Sequence, residues 1–184
     1  MMKLKFIALI FITVLATGCA APAQMQLMIP ETNRDISKLP QQLKSNIYVQ
    51  SVSGGEKTNP LWTSEISSND YKAALEQSLA NAGLLSVVQD GSNYHLMVSM
   101  IKVSQPVIGL GMTVNATVQY QMKEIDSGKI VLSEIISRPY TAKFSDAVIA
   151  VYRLQKANEG AARQNIKAFI DRLSNLKLGM KGKE

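Results

Sequence analysis

The sequence has only one cysteine, Cys19, and only one histidine, His95. One cysteine cannot form a disulfide within the chain, and one histidine excludes a metal site built from several histidines. The carboxylates are not clustered at ligand spacing, and no serine or cysteine is surrounded by a nucleophile motif. His95 falls inside a predicted strand, where a polar side chain on a half-buried sheet face is a better interpretation than a catalytic base. The sequence therefore predicts neither a metal site nor catalytic residues.

Long hydrophobic runs are also scarce, and the most prominent one lies at the N-terminus. Lys3 and Lys5 precede the apolar stretch 6–16, and small residues follow it directly before Cys19. This arrangement is the three-part pattern of an export signal. The stretch is about half of the ~20 residues that a membrane-crossing helix requires. We therefore expect residues 1–18 to be a cleaved signal peptide.

Residues 15–19, Leu-Ala-Thr-Gly-Cys, resemble the lipobox of bacterial lipoproteins. Ala16 replaces the leucine that is most common there, at a position where the family tolerates small residues. The resemblance implies that the Cys19 thiol carries diacylglycerol and that the mature N-terminus is acylated, for example with palmitate. Several acyl chains anchor a protein far more firmly than one. Ala20 stands where an aspartate would favour inner-membrane retention, which implies the periplasmic face of the outer membrane.

Chain length and composition predict a single domain behind this anchor. Residues 19–45 hold three prolines and no sustained hydrophobic period, which predicts a lipidated N-terminus and a flexible tether. Residues 46–178 suffice for one α+β domain with a core, facing the periplasm. Residues 179–184 are a basic tail, either a solvated end or a contact to acidic head groups. No nucleic-acid-binding module is present, and no cofactor is expected beyond the covalent lipid on Cys19.

The first half of the domain shows a strand, a helix and a second strand. Residues 47–52 are rich in β-formers and end before a glycine pair. A cluster of capping residues at 67–70 precedes a helix whose apolar residues recur at three- and four-residue spacing, and Gly83 suits its C-terminal cap. Residues 94–103 are apolar on both faces, which indicates a central strand.

The second half contains the clearest pattern in the chain. Residues 112–123 alternate apolar and polar side chains, which indicates a strand with one solvated face. A turn at 126–129 leads into an antiparallel strand over 130–137, and a helix follows over 145–176, in which Gly160 predicts a bend or a break. Together the elements predict an α+β fold: an antiparallel sheet of about four strands with two helices packed on one face, in the order β-α-β-β-β-α.

Two features are candidates for contact with a partner. Trp62, the only tryptophan, follows a proline in a loop, where it either covers the core or offers an aromatic anchor. The second is the polar face of the alternating strand, which is either simply solvated or a contact surface. Its residues are Thr113, Asn115, Thr117, Gln119 and Gln121.

Segments 59–66, 81–85 and 157–163 resemble a group of small, mostly uncharacterised Gram-negative lipoproteins. In element order the chain is also similar to auxiliary lipoproteins of envelope transport systems and to the lipopolysaccharide-assembly lipoprotein. The resemblance implies a non-catalytic envelope module that binds or assembles with a protein, lipid or glycan partner. The alternative is an envelope enzyme acting on glycan or acyl groups. The sequence lacks the hexapeptide period typical of UDP-N-acetylglucosamine acyltransferases, so it does not support that activity.

Overall fold

The computed structural model describes residues 20–31, 39–59, 64–106, 109–176 and 178. Within them, one four-stranded sheet carries two long helices, and the core lies between the sheet and those helices. No helix in this part of the chain has the length and apolarity needed to cross a membrane. The α+β fold class is as predicted.

The sheet is mixed, and its spatial order equals its chain order. Its strands are β1 (Ile47–Ser53), β2 (Tyr94–Ser104), β3 (Met112–Glu124) and β4 (Ile130–Ala142). The β2–β3 and β3–β4 pairs are antiparallel, whereas β1 pairs with β2 in parallel. The sequence predicted an antiparallel sheet, and this prediction is wrong for the β1–β2 pair. A helix between β1 and β2 returns the chain to the end where β1 began, and such a crossover joins parallel strands.

The described residues form three α-helices: α1 (Met25–Met28), α2 (Ser68–Asn81) and α3 (Ala150–Ser174). The same residues include short 3-10 turns at Gln41–Leu43 and Phe144–Asp146. The Ser67 side chain caps α2 by accepting the backbone N–H of Asp70 at 3.0 Å. The chain leaves α2 through Gly83, whose φ of 69° is a conformation that glycine adopts without strain.

A hydrogen-bonded group of three polar side chains crosses the buried core. The Tyr71 hydroxyl of α2 lies 2.6 Å from that of Tyr120 on β3, and the Tyr120 hydroxyl donates to Asn165 Oδ1 on α3 at 2.8 Å. Asn165 Nδ2 in turn donates to the backbone oxygens of Ala116 and Ile136, each at 2.8 Å. Burial raises the pKa of both tyrosines well above the usual range, so both hydroxyls remain protonated. The group joins both long helices to the sheet.

The helix α3 is continuous through Gly160, in contrast to the predicted bend or break. This glycine instead lets α3 approach β4 closely. A Cβ atom at Gly160 would lie 2.1 Å from Cδ1 of the Tyr140 ring. The guanidinium of Arg163, one turn further along α3, lies 5.6 Å from the centroid of the same ring. The glycine is therefore a packing requirement between a helix and a strand.

Candidate functional site

The N-terminal segment, defined as residues 20–31, packs on α3. Ala20, Ala23 and Met28 are buried, and α1 contacts both long helices. The proline-rich composition predicted a flexible tether here, and the structure differs from that expectation over these residues. The physical reason is that hydrophobic side chains between the prolines bury themselves in the core.

Polar side chains of α3 hold the backbone of the N-terminal segment at three successive turns. Gln155 Nε2 donates to the backbone oxygen of Pro22 at 2.9 Å. One turn on, Oε1 of Glu159 accepts the backbone N–H of Gln24 at 3.0 Å, and Arg163 then donates to the backbone oxygen of Leu27 at 2.8 Å. The segment therefore runs alongside α3 in the same direction. These three bonds fix the path of the N-terminal segment along α3.

A second set of bonds ties α3 to the loop before α2. Asn158 is fully buried, and its Nδ2 donates to the backbone oxygen of Ser64 at 2.6 Å. Gln105, after β2, donates to the same oxygen at 2.9 Å and to Oε2 of Glu65 at 2.9 Å. The backbone N–H of Ala23 donates to the backbone oxygen of Glu65 at 3.1 Å. The N-terminal segment is thus held from two sides, by α3 and by this loop.

Glu159 is an ionisable side chain of this contact whose pKa is displaced. Burial, which leaves only 3% of the residue exposed, raises the pKa of its carboxyl. The N–H of Gln24, the side chain of Gln155 and the charges of Lys156 and Arg163 oppose that effect without overcoming it. Glu159 and Arg163 stand four residues apart on α3, a spacing that allows a surface ion pair. The structure instead directs the carboxylate and the guanidinium to the N-terminal segment.

We expect Glu159→Gln to stabilise the protein at neutral and higher pH. The carboxyl has a higher pKa in the folded protein than in the unfolded chain, so its ionisation opposes folding above the folded-state pKa. Glutamine keeps an oxygen for the Gln24 N–H without that charge. Urea unfolding should show the variant more stable than the wild type at pH 8. The difference should shrink as the pH falls through the folded-state pKa.

Glu76→Gln on α2 is the control for this measurement, because 37% of the Glu76 side chain is exposed and its carboxylate pairs with Lys72 at 3.7 Å. A difference between Glu159→Gln and wild type that does not change with pH would contradict the assignment.

The second feature is the outer face of the sheet, defined as the face turned away from α2 and α3. Residues Thr113, Asn115, Thr117, Gln119 and Gln121 all lie on it, as predicted from their alternation with buried neighbours. They meet side chains of the adjacent strands. Thr113 and Thr141 hydroxyls lie 2.8 Å apart, and Thr117 and Ser137 hydroxyls 3.0 Å apart. Within the described ranges, no helix covers this face. It is a hydrogen-bonded, largely polar surface in which the exposed Ile135 lies opposite Gln119.

His95 lies on the same outer face, half-buried and beside the Tyr48 ring at a centroid distance of 5.6 Å. It does not line the cavities found alongside the N-terminal segment. The described residues contain no group of three or more histidine, cysteine or acidic side chains that could bind a metal. This geometry gives His95 an aromatic neighbour, and nothing in it marks a nucleophile for His95 to activate.

A small cavity of about 230 Å³ lies where the N-terminal segment, β4 and α3 meet. Its polar lining carries both charges, with Lys156 and Arg163 facing Asp146 and Glu159. The opposite charges leave no net preference for an anion or a cation. We regard it as part of the contact between the N-terminal segment and α3.

Several predicted features fall outside the described residues. These are the signal peptide, the lipidation site Cys19, the loop residue Trp62 and the basic tail 179–184. Sequence reasoning missed the contact between α3 and the N-terminal segment altogether. One sequence feature could have indicated it, namely segment 157–163, which carried the family resemblance. This segment supplies Glu159 and Arg163, which bond to the N-terminal segment, and Asn158, which bonds to the neighbouring loop.

Comparison with solved structures relates this fold to several bacterial proteins. A Xanthomonas campestris protein of the DUF330 family is 12% identical, with a TM-score of 0.56 over 85% of this chain and 94% of its own. A hypothetical protein from Chlamydia trachomatis is 10% identical, with a TM-score of 0.53 over 72% and 97%. A Caulobacter crescentus protein named as a lipoprotein is 16% identical, with a TM-score of 0.50 over 73% and 90%.

Sequence comparison gives no such relation, because no protein-family model and no curated protein matches this chain. At these identities the shared property is the fold, and fold alone does not determine function. The chain has the same α+β fold as these three bacterial proteins.

Proposed function

We propose that this protein is a lipid-anchored lipoprotein of the Gram-negative envelope, acting without catalysis as a module that binds or assembles with an envelope partner. Its anchor is the acylated Cys19, and its place is the periplasmic face of the outer membrane. The lipobox resemblance supports the anchor. The fold is one that a protein named as a lipoprotein also has.

The observation that carries the binding role is the uncovered outer face of the sheet. The opposite face and both long helices are committed to the core, whereas the outer face presents small hydroxyl and amide side chains on every strand. These groups donate and accept hydrogen bonds without a fixed charge, which suits polar recognition of a protein or a glycan. The partner surface is centred on Gln119, in the middle of β3.

Site-specific photo-crosslinking in living cells tests this assignment. A benzoylphenylalanine at Gln119 should give a discrete adduct with an envelope component, because the face is accessible at the centre of the sheet. The matched control is the same crosslinker at Gln77, an exposed glutamine on α2. The Gln119 adduct should disappear when Cys19→Ser releases the protein from its membrane.

Equal crosslinking at Gln119 and Gln77 would contradict a specific surface. Absence of an adduct from both Gln119 and Thr113 would contradict a partner on this face.

A further inference from the structure

Large exposed hydrophobic side chains gather at one end of the molecule, on two neighbouring loops and the first turn of α3. We call this group the apolar rim. Leu110 lies in the β2–β3 loop and is 78% exposed, and Val148 in the β4–α3 loop is 72% exposed. The full rim consists of Leu110, Phe144, Val148, Ile149 and Tyr152. Exposed apolar side chains grouped at one end of a domain mark an interaction site for a protein or a membrane.

The rim is held together by one nearly buried side chain, Arg153. Its guanidinium donates to the backbone oxygens of Ala147 and Val148 at 2.6 and 3.0 Å, and across the gap to that of Gly109 at 3.2 Å. The same guanidinium lies 5.3 Å from the centroid of the Phe144 ring. Arg153 therefore joins the two loops from behind, so that their apolar side chains point outward from a common base.

The start of the N-terminal segment lies at this same end. Pro22 is bonded to Gln155, which is one turn of α3 beyond Tyr152. Because the segment runs alongside α3 from Pro22 to Leu27, the chain before Pro22 extends towards the beginning of α3, where the rim lies. Ala20 is itself buried against the domain. Ala20, the first residue of the N-terminal segment, therefore lies beside the rim.

We infer that the apolar rim docks on the lipid bilayer that holds the Cys19 acyl chains. The inference rests on the proposed function, because it takes the lipid anchor at Cys19 as given. The anchor brings the bilayer to within a residue or two of the buried Ala20. An acylated N-terminus fixed at this end of the domain turns the same end towards the lipid. The rim lies at that end. Apolar and aromatic side chains at a membrane surface add affinity by burying area among the acyl chains.

Charge around the rim agrees with a phospholipid surface. Lys143 and Lys156 are exposed near the rim, and Asp146, which accepts the backbone N–H of Lys143 at 2.7 Å, offsets one of their two positive charges. Basic side chains next to an apolar insertion are attracted to acidic head groups. Tyr152 combines an apolar ring with a hydroxyl, as residues at membrane interfaces commonly do.

Docking at the rim determines the orientation of the sheet. β3 begins and β4 ends beside the rim. Both strands therefore extend about 40 Å from the bilayer, at roughly 3.3 Å per residue. The outer face of the sheet then stands upright on the membrane. Gln119 lies about halfway along β3, clear of the lipid.

The test uses the full lipidated protein in vesicles of phosphatidylethanolamine and phosphatidylglycerol. Because the lipid occupies the Cys19 thiol, a single introduced cysteine is the only one that reacts with an NBD fluorophore. Val148→Cys places the fluorophore on the rim. Val87→Cys is the matched control, since it is the same residue type, is 83% exposed, and follows α2 near the start of β1, at the opposite end of the sheet.

With nitroxide-labelled lipids, we expect the fluorophore at residue 148 to be quenched at least twofold and its emission to shift to the blue. The fluorophore at residue 87 should change in neither respect. Vesicle-bound protein with residue 148 unquenched would overturn the docking while leaving the anchor intact. The emission at residue 148 could instead shift to the blue without vesicles and increasingly so at higher protein concentration. That result would mean that a second copy of the protein covers the rim, and it would also overturn the docking on lipid. Protein that does not float with vesicles at all would overturn the anchor and the docking together.

Discussion

Replacing Asn165 by leucine is expected to lower the free energy of unfolding by about 3 kcal/mol, because each buried polar group left without a partner costs roughly 1–3 kcal/mol. The substitution removes the acceptor of the Tyr120 hydroxyl and both donors to the sheet backbone. For a chain of this size, that loss corresponds to a fall in Tm of about 10 °C. Urea unfolding followed by circular dichroism measures it directly.

The neighbouring exposed Gln164→Leu is the matched control and should change stability by less than about 0.5 kcal/mol. Adding Tyr71→Phe and Tyr120→Phe to Asn165→Leu should recover part of the loss, since the hydroxyl that lost its acceptor is then absent. If Asn165→Leu is as stable as Gln164→Leu, the hydrogen-bonded group does not stabilise the core.

The second large effect concerns Gly160→Ala, whose change in the free energy of unfolding should reverse sign when Tyr140 is removed. Gly160→Ala should destabilise the wild type by about 2 kcal/mol, because the new methyl group overlaps the Tyr140 ring and overpacking of this kind costs roughly 1–3 kcal/mol. In a Tyr140→Ala background the same substitution should stabilise by up to about 1 kcal/mol, which is the helix preference of alanine over glycine. A double-mutant cycle measures the coupling between the two positions.

Tyr140→Phe provides the control background, because it keeps the ring and should keep the destabilisation. A stabilising Gly160→Ala in the wild type would show that α3 and β4 do not approach as closely as the structure has them.

Local patterns predicted the elements well, and the alternation in β3 predicted which side chains face outward. Every residue from Thr113 to Gln121 that was expected on the solvated face lies there. Alternation succeeds because a strand with one buried face requires it. The apolar character of both faces of β2 likewise predicted its central place, between β1 and β3.

Features that depend on distant parts of the chain were beyond such patterns. Gly160 is explained by Tyr140, twenty positions earlier, and no helical pattern contains that information. Gln155, Asn158 and Glu159 look like residues of a solvated helix face, yet they are buried because the N-terminal segment and the loop at Ser64 cover them. Prolines at 22 and 30 suggested an open tether, although Met28 between them is fully buried.

The N-terminal segment is packed on the domain and not extended as a tether, which affects how the domain would be held at a membrane. A flexible tether would leave the domain free to tumble relative to the proposed anchor, whereas a segment bonded to α3 from Pro22 to Leu27 holds the domain close to it. The polar contacts of α3 therefore connect the proposed lipid at Cys19 with the fixed presentation of the outer sheet face.

The most direct test of the account is metabolic labelling with a clickable palmitate analogue, comparing the wild type with Cys19→Ser and separating inner from outer membranes. We expect the wild type to carry the label and to fractionate with the outer membrane, and Cys19→Ser to lose both properties. Wild-type protein that is unlabelled and soluble would contradict the lipid anchor, and with it the membrane-bound binding module proposed for this fold.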